Sequence, residues 1–422
     1  MTTSLGGGPA LTFETEKAWC NWGRNQSCTA ALYAAPRSEH QLLEAVRHAI
    51  RSGLNVRVVG AGHSFTPVVA TDGLLLSLEH LSGVTSVDPA RRRVTAWGGT
   101  PISAFGEPLW AAGLSLSNQG DIDTQTIAGA IATGTHGSGI HLASFSGAVR
   151  SLRLINGLGD IVEIRETDVE KLHAAQVAIG TLGVVVEVEL EVSPSYYLRE
   201  QITHPTFTEL AAHWEDNISS HRHFSFLWCP TDESAPLYEL PTPSGESMVD
   251  RAYTKVYDAI DIDEANDIGT TEWRRVDRAH RIYPGGFGLP FHELEHFVPA
   301  SAGLDAVRAV RKLMLTKHTD QLFPIEVRWA AADEAYLSSQ YQRDTTVVSV
   351  SGAPGTNYWP FLRDVDAVLE DFDARPHWGK IHFTTRQRME RLFPQLDKFV
   401  AIRRHFDPNG VYLNDHLRPL LG

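Results

Sequence analysis

Cysteine is scarce in this chain. Cys20, Cys28 and Cys229 are odd in number and lack the paired spacing of a metal site, which excludes a disulfide-stapled scaffold. A reducing cytoplasm with unpaired, buried thiols is the expected setting. Basic runs are missing too. With a formal charge of −14 at pH 7 there is no electrostatic footprint for nucleic acid, and the acidic bulk serves solubility. No apolar stretch reaches membrane length: LGVVVEVELEV (182–192) falls well short of the ~20 residues needed. The opening MTTSLGGGPALTFETEK shows no basic-then-apolar leader pattern. Neither a membrane nor a nucleic acid is expected as a partner.

What is present is an ordinary globular composition, 42% apolar over 422 residues, enough for two or three cores. SEHQLLEAVRHAIRSG (38–53) reads as a helix: Ser38 and Gln41 form a capping box, Leu42, Leu43, Val46 and Ile50 share a face, and Gly53 ends it. The strand NVRVVG follows, then a glycine turn, the strand-like LLLSLEHL, the hairpin-like SVDPARRRVTAWGG and the helix-like PISAFGEPLWAAG. VVVEVELEV (184–192) alternates and reads as the strand that closes this first unit. From about residue 196 aromatic, histidine and acidic residues thicken. FPIEVRWAAADEAY and TTVVSVSG read as strands there, and the last fifty residues as a helix-and-turn tail. The fold class is α+β, with expected domains at 1–195 and 196–370 and a C-terminal segment at 371–422.

Two glycine-rich blocks lie in the first unit. In VRVVGAGHSFTPVV (56–69), bare backbone at Gly60, Ala61 and Gly62 can converge on an anion, with His63 aimed at whatever the anion is attached to. The second block, SLSNQGDIDTQTIAGAIATGTHGSG (115–139), places Gly129, Gly134, Gly137 and Gly139 where backbone can approach a large flat or charged ligand. Together they suggest a dinucleotide held along its length. The Rossmann order is absent, because GAGHSF leads into proline rather than a helix. In EVR (326–328), Glu326 and Arg328 are two apart on a strand and therefore share a face. Nineteen histidines raise the question of a metal, but HRHF (221–224) lacks ligand spacing and neighbouring acids, so no metal is expected.

GAGHSF, SNQG…TIAGAIATGTHGSG, EVRW, RPHWGK and a late LND, with the entry segment NWGRNQSC (21–28), resemble the vanillyl-alcohol-oxidase superfamily of FAD enzymes. Within it the chain is most similar to the aldonolactone oxidoreductases and the related alditol oxidases. The resemblance implies a two-subdomain FAD-binding domain and a substrate (cap) domain with a mostly antiparallel sheet. It implies covalent FAD on His63 through an 8α-N-histidyl bond, which raises the flavin's potential. Gly60, Ala61, Gly62 and Ser64 would bind pyrophosphate. Gly120, Asp121, Thr126, Gly129, Thr133, Gly134, Thr135 and His136 would line the rest of the cofactor, with Val184 or Val185 at the adenine. At position 121 relatives carry a small or uncharged polar residue, so Asp121 departs from the pattern.

By the same resemblance Glu326, Arg328 and Lys380 would grip substrate hydroxyls and, through two cations, favour an alkoxide. Ser349, Ser351 and His377 are further candidates for substrate contact; alditol oxidases carry histidine and threonine in place of the two serines. The implied activity is oxidation of a hydroxyl on a small polyol or lactone, an aldono-1,4-lactone first, by hydride transfer to flavin. Gly120 leaves room for dioxygen as acceptor, giving hydrogen peroxide. The alternatives are a primary-alcohol oxidase for alditols, sugars or nucleosides, and a lactone dehydrogenase using another acceptor.

Overall fold

In the computed structural model, which describes residues 10–261, 268–285 and 290–422, the chain enters through an antiparallel hairpin, Glu14–Cys20 with Ser27–Ala34. The first nine residues, which open the stretch read above for a leader pattern, lie outside the described residues. Helix Glu39–Arg51 follows. Ser38 caps it by accepting from the Gln41 amide at 3.2 Å, while the Gln41 side chain accepts from the Arg37 amide at 2.7 Å. Leu42, Ala45, Val46 and Ala49 form its buried stripe. The helix returns the chain so that Val56–Val59 pairs in parallel with Leu74–Ser77, itself parallel to Ser27–Ala34. The glycine turn at 60–62 therefore leaves the carboxyl end of a strand in a mixed four-stranded sheet.

A second, antiparallel sheet runs in the order Val84–Asp88, Arg93–Trp97, Val184–Glu191, Val149–Ile155, Ile161–Arg165. VVVEVELE is last in chain order yet central in space. Val184, Val186, Val188 and Leu190 are buried, and the residues between them are half-buried, which is why the segment alternates. The second glycine block is mostly irregular. Only Ile127–Thr133 is helical, and Gly134 ends it in the left-handed conformation at φ +80°.

Apart from a short antiparallel pair, Leu114–Ser115 with Ser193–Pro194, the remaining strands among the described residues form a nine-stranded antiparallel sheet. Its order is Gly269–Thr271, Arg274–Arg278, Tyr197–Thr203, Arg251–Ile260, His223–Cys229, Ile325–Ala330, Thr345–Gly352, His292–Pro299, Arg375–Pro376. Helices Gly303–Thr316 and Trp359–Glu370 cover one face, burying Val348 and Val350 against Ala306, Val310, Phe361 and Leu362. The opposite face is free to carry polar side chains. The chain's end returns to the first sheet: Val56 donates to the Val411 carbonyl at 2.8 Å, and the Asn414 amide to Pro67 and Ala70 carbonyls at 2.7 and 2.8 Å. Among the described residues no helix is long and apolar enough to cross a membrane.

Candidate active site

The turn after Val56–Val59 is built from glycine for a steric reason. Gly62 has φ +71°, and a Cβ on Gly60 would lie 2.4 Å from the Thr126 hydroxyl of the second glycine block. The turn is then tied down from two sides. Trp22 donates to the Gly62 carbonyl at 2.9 Å and the Asn21 side chain to the Ser64 carbonyl at 2.9 Å. Phe65 donates to the Gly379 carbonyl at 2.7 Å and Thr66 to the Trp378 carbonyl at 2.9 Å, drawing the HWGK segment beside the turn. His63 sits against Trp22, with ring centroids 5.0 Å apart, and its Nε2 is 3.3 Å from the Thr124 hydroxyl. Burial, reinforced by the Lys380 charge, lowers the His63 imidazole to about 4, so it is neutral at physiological pH.

Cross-strand register assembles the charged end. Glu326, Ser349 and Glu295 stand directly opposite one another on three adjacent strands, and Glu293 stands opposite Ser351. The two serines are short, so long side chains from the outer strands meet over the middle one. Arg328 Nη2 reaches Glu295, and its Nε lies 3.5 Å from Glu326 Oε1. The Ser349 hydroxyl donates to Glu295 at 2.6 Å. Segment 375–381 runs along the far edge, with His377 donating its amide to the Glu295 carbonyl at 3.0 Å and Ile381 to the Glu293 carbonyl at 2.8 Å. Lys380 thereby reaches the Glu293 carboxylate.

The charges perturb one another. Burial pushes Glu326 up, and although Arg328 opposes this, Asp121 and Glu293 reinforce it. Burial would also raise Glu295, but Arg328 and His136 hold its carboxyl well below the usual carboxylate range. Arg328 stays firmly charged despite burial because Glu326 and Glu295 flank it. His377 is driven down to about 3, chiefly by burial. Asp121 is matched by Lys255 of the cap sheet, whose ammonium donates to it at 2.8 Å.

Both glycine blocks and this charged face open onto one cavity of about 550 Å³, within the range of cofactor pockets. Gly60, Ala61, Gly62, His63, Ser64, Gly120, Asp121, Thr126, Gly129, Thr133, Thr135, His136, Val185, Glu326, Arg328, His377 and Lys380 line it. Four expected residues stand elsewhere. Gly134 caps its helix, Val184 is fully buried in a core, and Ser349 and Ser351 lie beneath the carboxylates rather than on the wall. Apolar side chains such as Val58, Val68, Ile131, Leu152 and Leu182 complete the lining, together with the backbone of Gly180 and Gly183. Exposed glycine backbone, apolar walls and a separate charged patch suit a dinucleotide with a flat ring system, so the donor set fits FAD.

Glu293, Glu295, Tyr238 and Phe291 also line the cavity and were not singled out from the sequence. The signal for two of them was FHELEHF: acids two apart in a strand that is buried at every position but its last. Buried charges in such a strand require partners.

The comparisons with known proteins define the class first. A family model described as FAD binding domain matches residues 30–165. The fold superposes on a solvent-stable cholesterol oxidase with a TM-score of 0.81, covering 97% of this chain and 98% of that one at 17% identity. This is the FAD-binding fold of the vanillyl-alcohol-oxidase type. A second family model, D-arabinono-1,4-lactone oxidase, matches residues 242–420. L-gulono-1,4-lactone dehydrogenase of Mycobacterium tuberculosis is 32% identical, over 96% of this chain and 99% of that protein. L-gulonolactone oxidase of Mus musculus is 27% identical over 94% and 96%, and an alditol oxidase of Streptomyces 28% over 95% and 98%. The chain belongs to the aldonolactone oxidoreductase and alditol oxidase family of FAD-dependent enzymes.

Proposed function

We propose that this protein oxidises a hydroxyl of an aldono-1,4-lactone, with FAD covalently attached to His63 and dioxygen as the final acceptor. The observation that carries the reading is Arg328 and Lys380 on one cavity with His63, each cation held by a carboxylate of strand His292–Pro299. When bound, FAD supplies a two-electron acceptor for a hydride leaving the substrate carbon. His63, neutral and pressed against Trp22, presents a nitrogen lone pair for the tether. Glu326 accepts from substrate hydroxyls; its carboxylate lines the cavity with the Arg328 guanidinium 3.5 Å away as an ion-pair partner. Arg328 and Lys380 stabilise negative charge as the hydroxyl proton passes to the Glu326 carboxylate, whose affinity for it burial raises. Gly60, Ala61, Gly62 and Ser64 hold pyrophosphate, and Thr126, Gly129, Thr133, Thr135 and Val185 face the remainder. In this reading 1–195 is the FAD-binding domain, 196–370 the cap and 371–422 a segment returning to the former. The enzyme works in the cytoplasm.

The relatives divide between lactone and alditol substrates, and Ser349 bears on the choice. Its hydroxyl is spent on Glu295, which leaves no imidazole or free hydroxyl there for an open-chain polyol and favours the lactone. The test is a peroxide-coupled screen of aldonolactones, alditols, sugars and nucleosides. The expected result is highest kcat/KM on a 1,4-lactone; preference for an alditol would replace this substrate with the second.

A further inference from the structure

The cavity contains one connection that substrate binding by itself does not require. His136, in the second glycine block, has both ring nitrogens engaged: Nδ1 lies 2.7 Å from the Gly137 carbonyl and Nε2 lies 3.2 Å from Glu295 Oε1. A carbonyl only accepts, so Nδ1 carries a hydrogen. The contact at Nε2 then needs a hydrogen of its own, supplied by either the imidazole or the carboxyl. His136 and Glu295 therefore share one proton beyond the neutral ring and the carboxylate, and as a pair they carry no net charge. The pair is sealed in, with both side chains about 1% exposed.

The other oxygen of Glu295 accepts from Arg328 and from the Ser349 hydroxyl. A lone carboxylate in that place would anchor Arg328 and also cancel its charge. A carboxylate already balanced by His136 anchors the guanidinium without adding a second full negative charge to that of Glu326 on the cavity side. We propose that Glu295 is the positioning residue for Arg328, and that His136 is its counter-ion, which keeps Arg328 electrostatically available to the substrate. The inference rests on the reading of Arg328 as a substrate-contacting cation. The charged and titratable groups around Glu295 are Arg328, His136 and His377 at 4.0 Å, with Glu293 and Glu326 on the same sheet face.

The test is a double-mutant cycle on the holoenzyme, with rates expressed per bound flavin. R328A alone should lower kcat, and E295L should lower it about 100-fold, as expected for a misplaced reacting group. Because Glu295 acts through Arg328, E295L/R328A should be no slower than R328A, with coupling close to complete. Independent, multiplying losses would overturn the proposal and leave the reading of Arg328 standing. Normal turnover by R328A would overturn that reading and the proposal together. A second pair covers the case in which E295L does not fold. H136Q removes the counter-ion and should lower kcat more than it raises KM. Adding E295Q, which removes the carboxylate charge, should restore most of the loss. An E295Q/H136Q enzyme slower than H136Q would overturn the counter-ion role.

Discussion

Lys255, on strand Arg251–Ile260 of the large sheet, donates to Asp121 of the second glycine block at 2.8 Å, 134 residues away in sequence. The contact closes one side of the cavity, and it gives the Asp121 carboxylate a cationic partner there. Both side chains are mostly buried, 13% and 20% exposed. Removing one partner strands the other's charge close to Glu326, while the pair itself is worth little against a neutral replacement. K255M should therefore cost about 3 kcal/mol of stability, and D121N/K255M should recover most of it. Urea unfolding of the holoprotein measures both; equal stability for K255M and wild type would remove any structural role for the pair.

His63 should hold flavin through denaturation. Acid-precipitated protein should remain yellow, and a proteolytic peptide containing His63 should carry the flavin mass. H63A should release all colour to the supernatant. Colour released from the wild type would exclude the tether.

Arg328 and Lys380 should matter for rate more than for loading. R328A and K380A should each lower kcat by about 100-fold or more, in line with the loss of one charge-stabilising donor. Flavin content, read from absorbance, should persist. Because Glu293 and Glu295 lose their cations in these variants, modest destabilisation is expected alongside. Near-normal turnover would make both residues structural.

Acid should unfold the protein through buried imidazoles. Burial drives His223, His377 and His382 each to about 3. The unfolded chain takes up these protons near its ordinary imidazole value, whereas the folded chain refuses them until far lower pH. Stability contributed by the neutral forms is thus present above about pH 6.5 and falls as pH drops, by at most about 1.4 kcal/mol per group per pH unit. His223 illustrates the cost: it bridges the Ser138 carbonyl and the Tyr283 hydroxyl as a neutral ring. The urea midpoint should fall between about pH 7 and about pH 5, and the fall should be smaller in H223Q. A midpoint unchanged over that range would contradict the burial of these rings as neutral species.

Much of this arrangement is local and so is legible from residue spacing. Alternation in VVVEVELE gives a strand with one buried face, and EVR gives a shared face for Glu326 and Arg328. The turn GAGHS declares itself because only glycine tolerates Gly62's φ of +71° and the Thr126 contact at Gly60. The partners are another matter. Which carboxylate meets Arg328 depends on the register of strands His292–Pro299, Thr345–Gly352 and Ile325–Ala330, and no local pattern encodes register between distant segments. Ser349 looks like a lost substrate contact until that register places it beneath Glu295. Asp121 likewise has no meaning until the large sheet brings Lys255 over it.

Dioxygen as acceptor rests on Gly120. The residue lines the cavity at the end that also carries Asp121, and a Cβ there would lie 3.0 Å from the His136 carbonyl oxygen and 3.9 Å from its carbon. Those contacts are tight yet not forbidding, and Gly120 does not have the positive φ that would strain an alanine. G120A should therefore fold, with its methyl group projecting against the backbone of the second glycine block after a shift of a few tenths of an ångström. In the proposed reading the methyl narrows the cavity wall beside Asp121, where dioxygen would reach the cofactor, whereas a hydride donor approaches from the side of Arg328 and Lys380. Substrate-driven reduction should consequently change little in G120A, while reoxidation in aerated buffer should slow sharply. Stopped-flow absorbance separates the two half-reactions. If the wild type reoxidises sluggishly and turns over fast only with dyes or cytochrome c, the enzyme is a dehydrogenase. If both proteins reoxidise equally fast, oxygen reaches the cofactor by a route that Gly120 does not control.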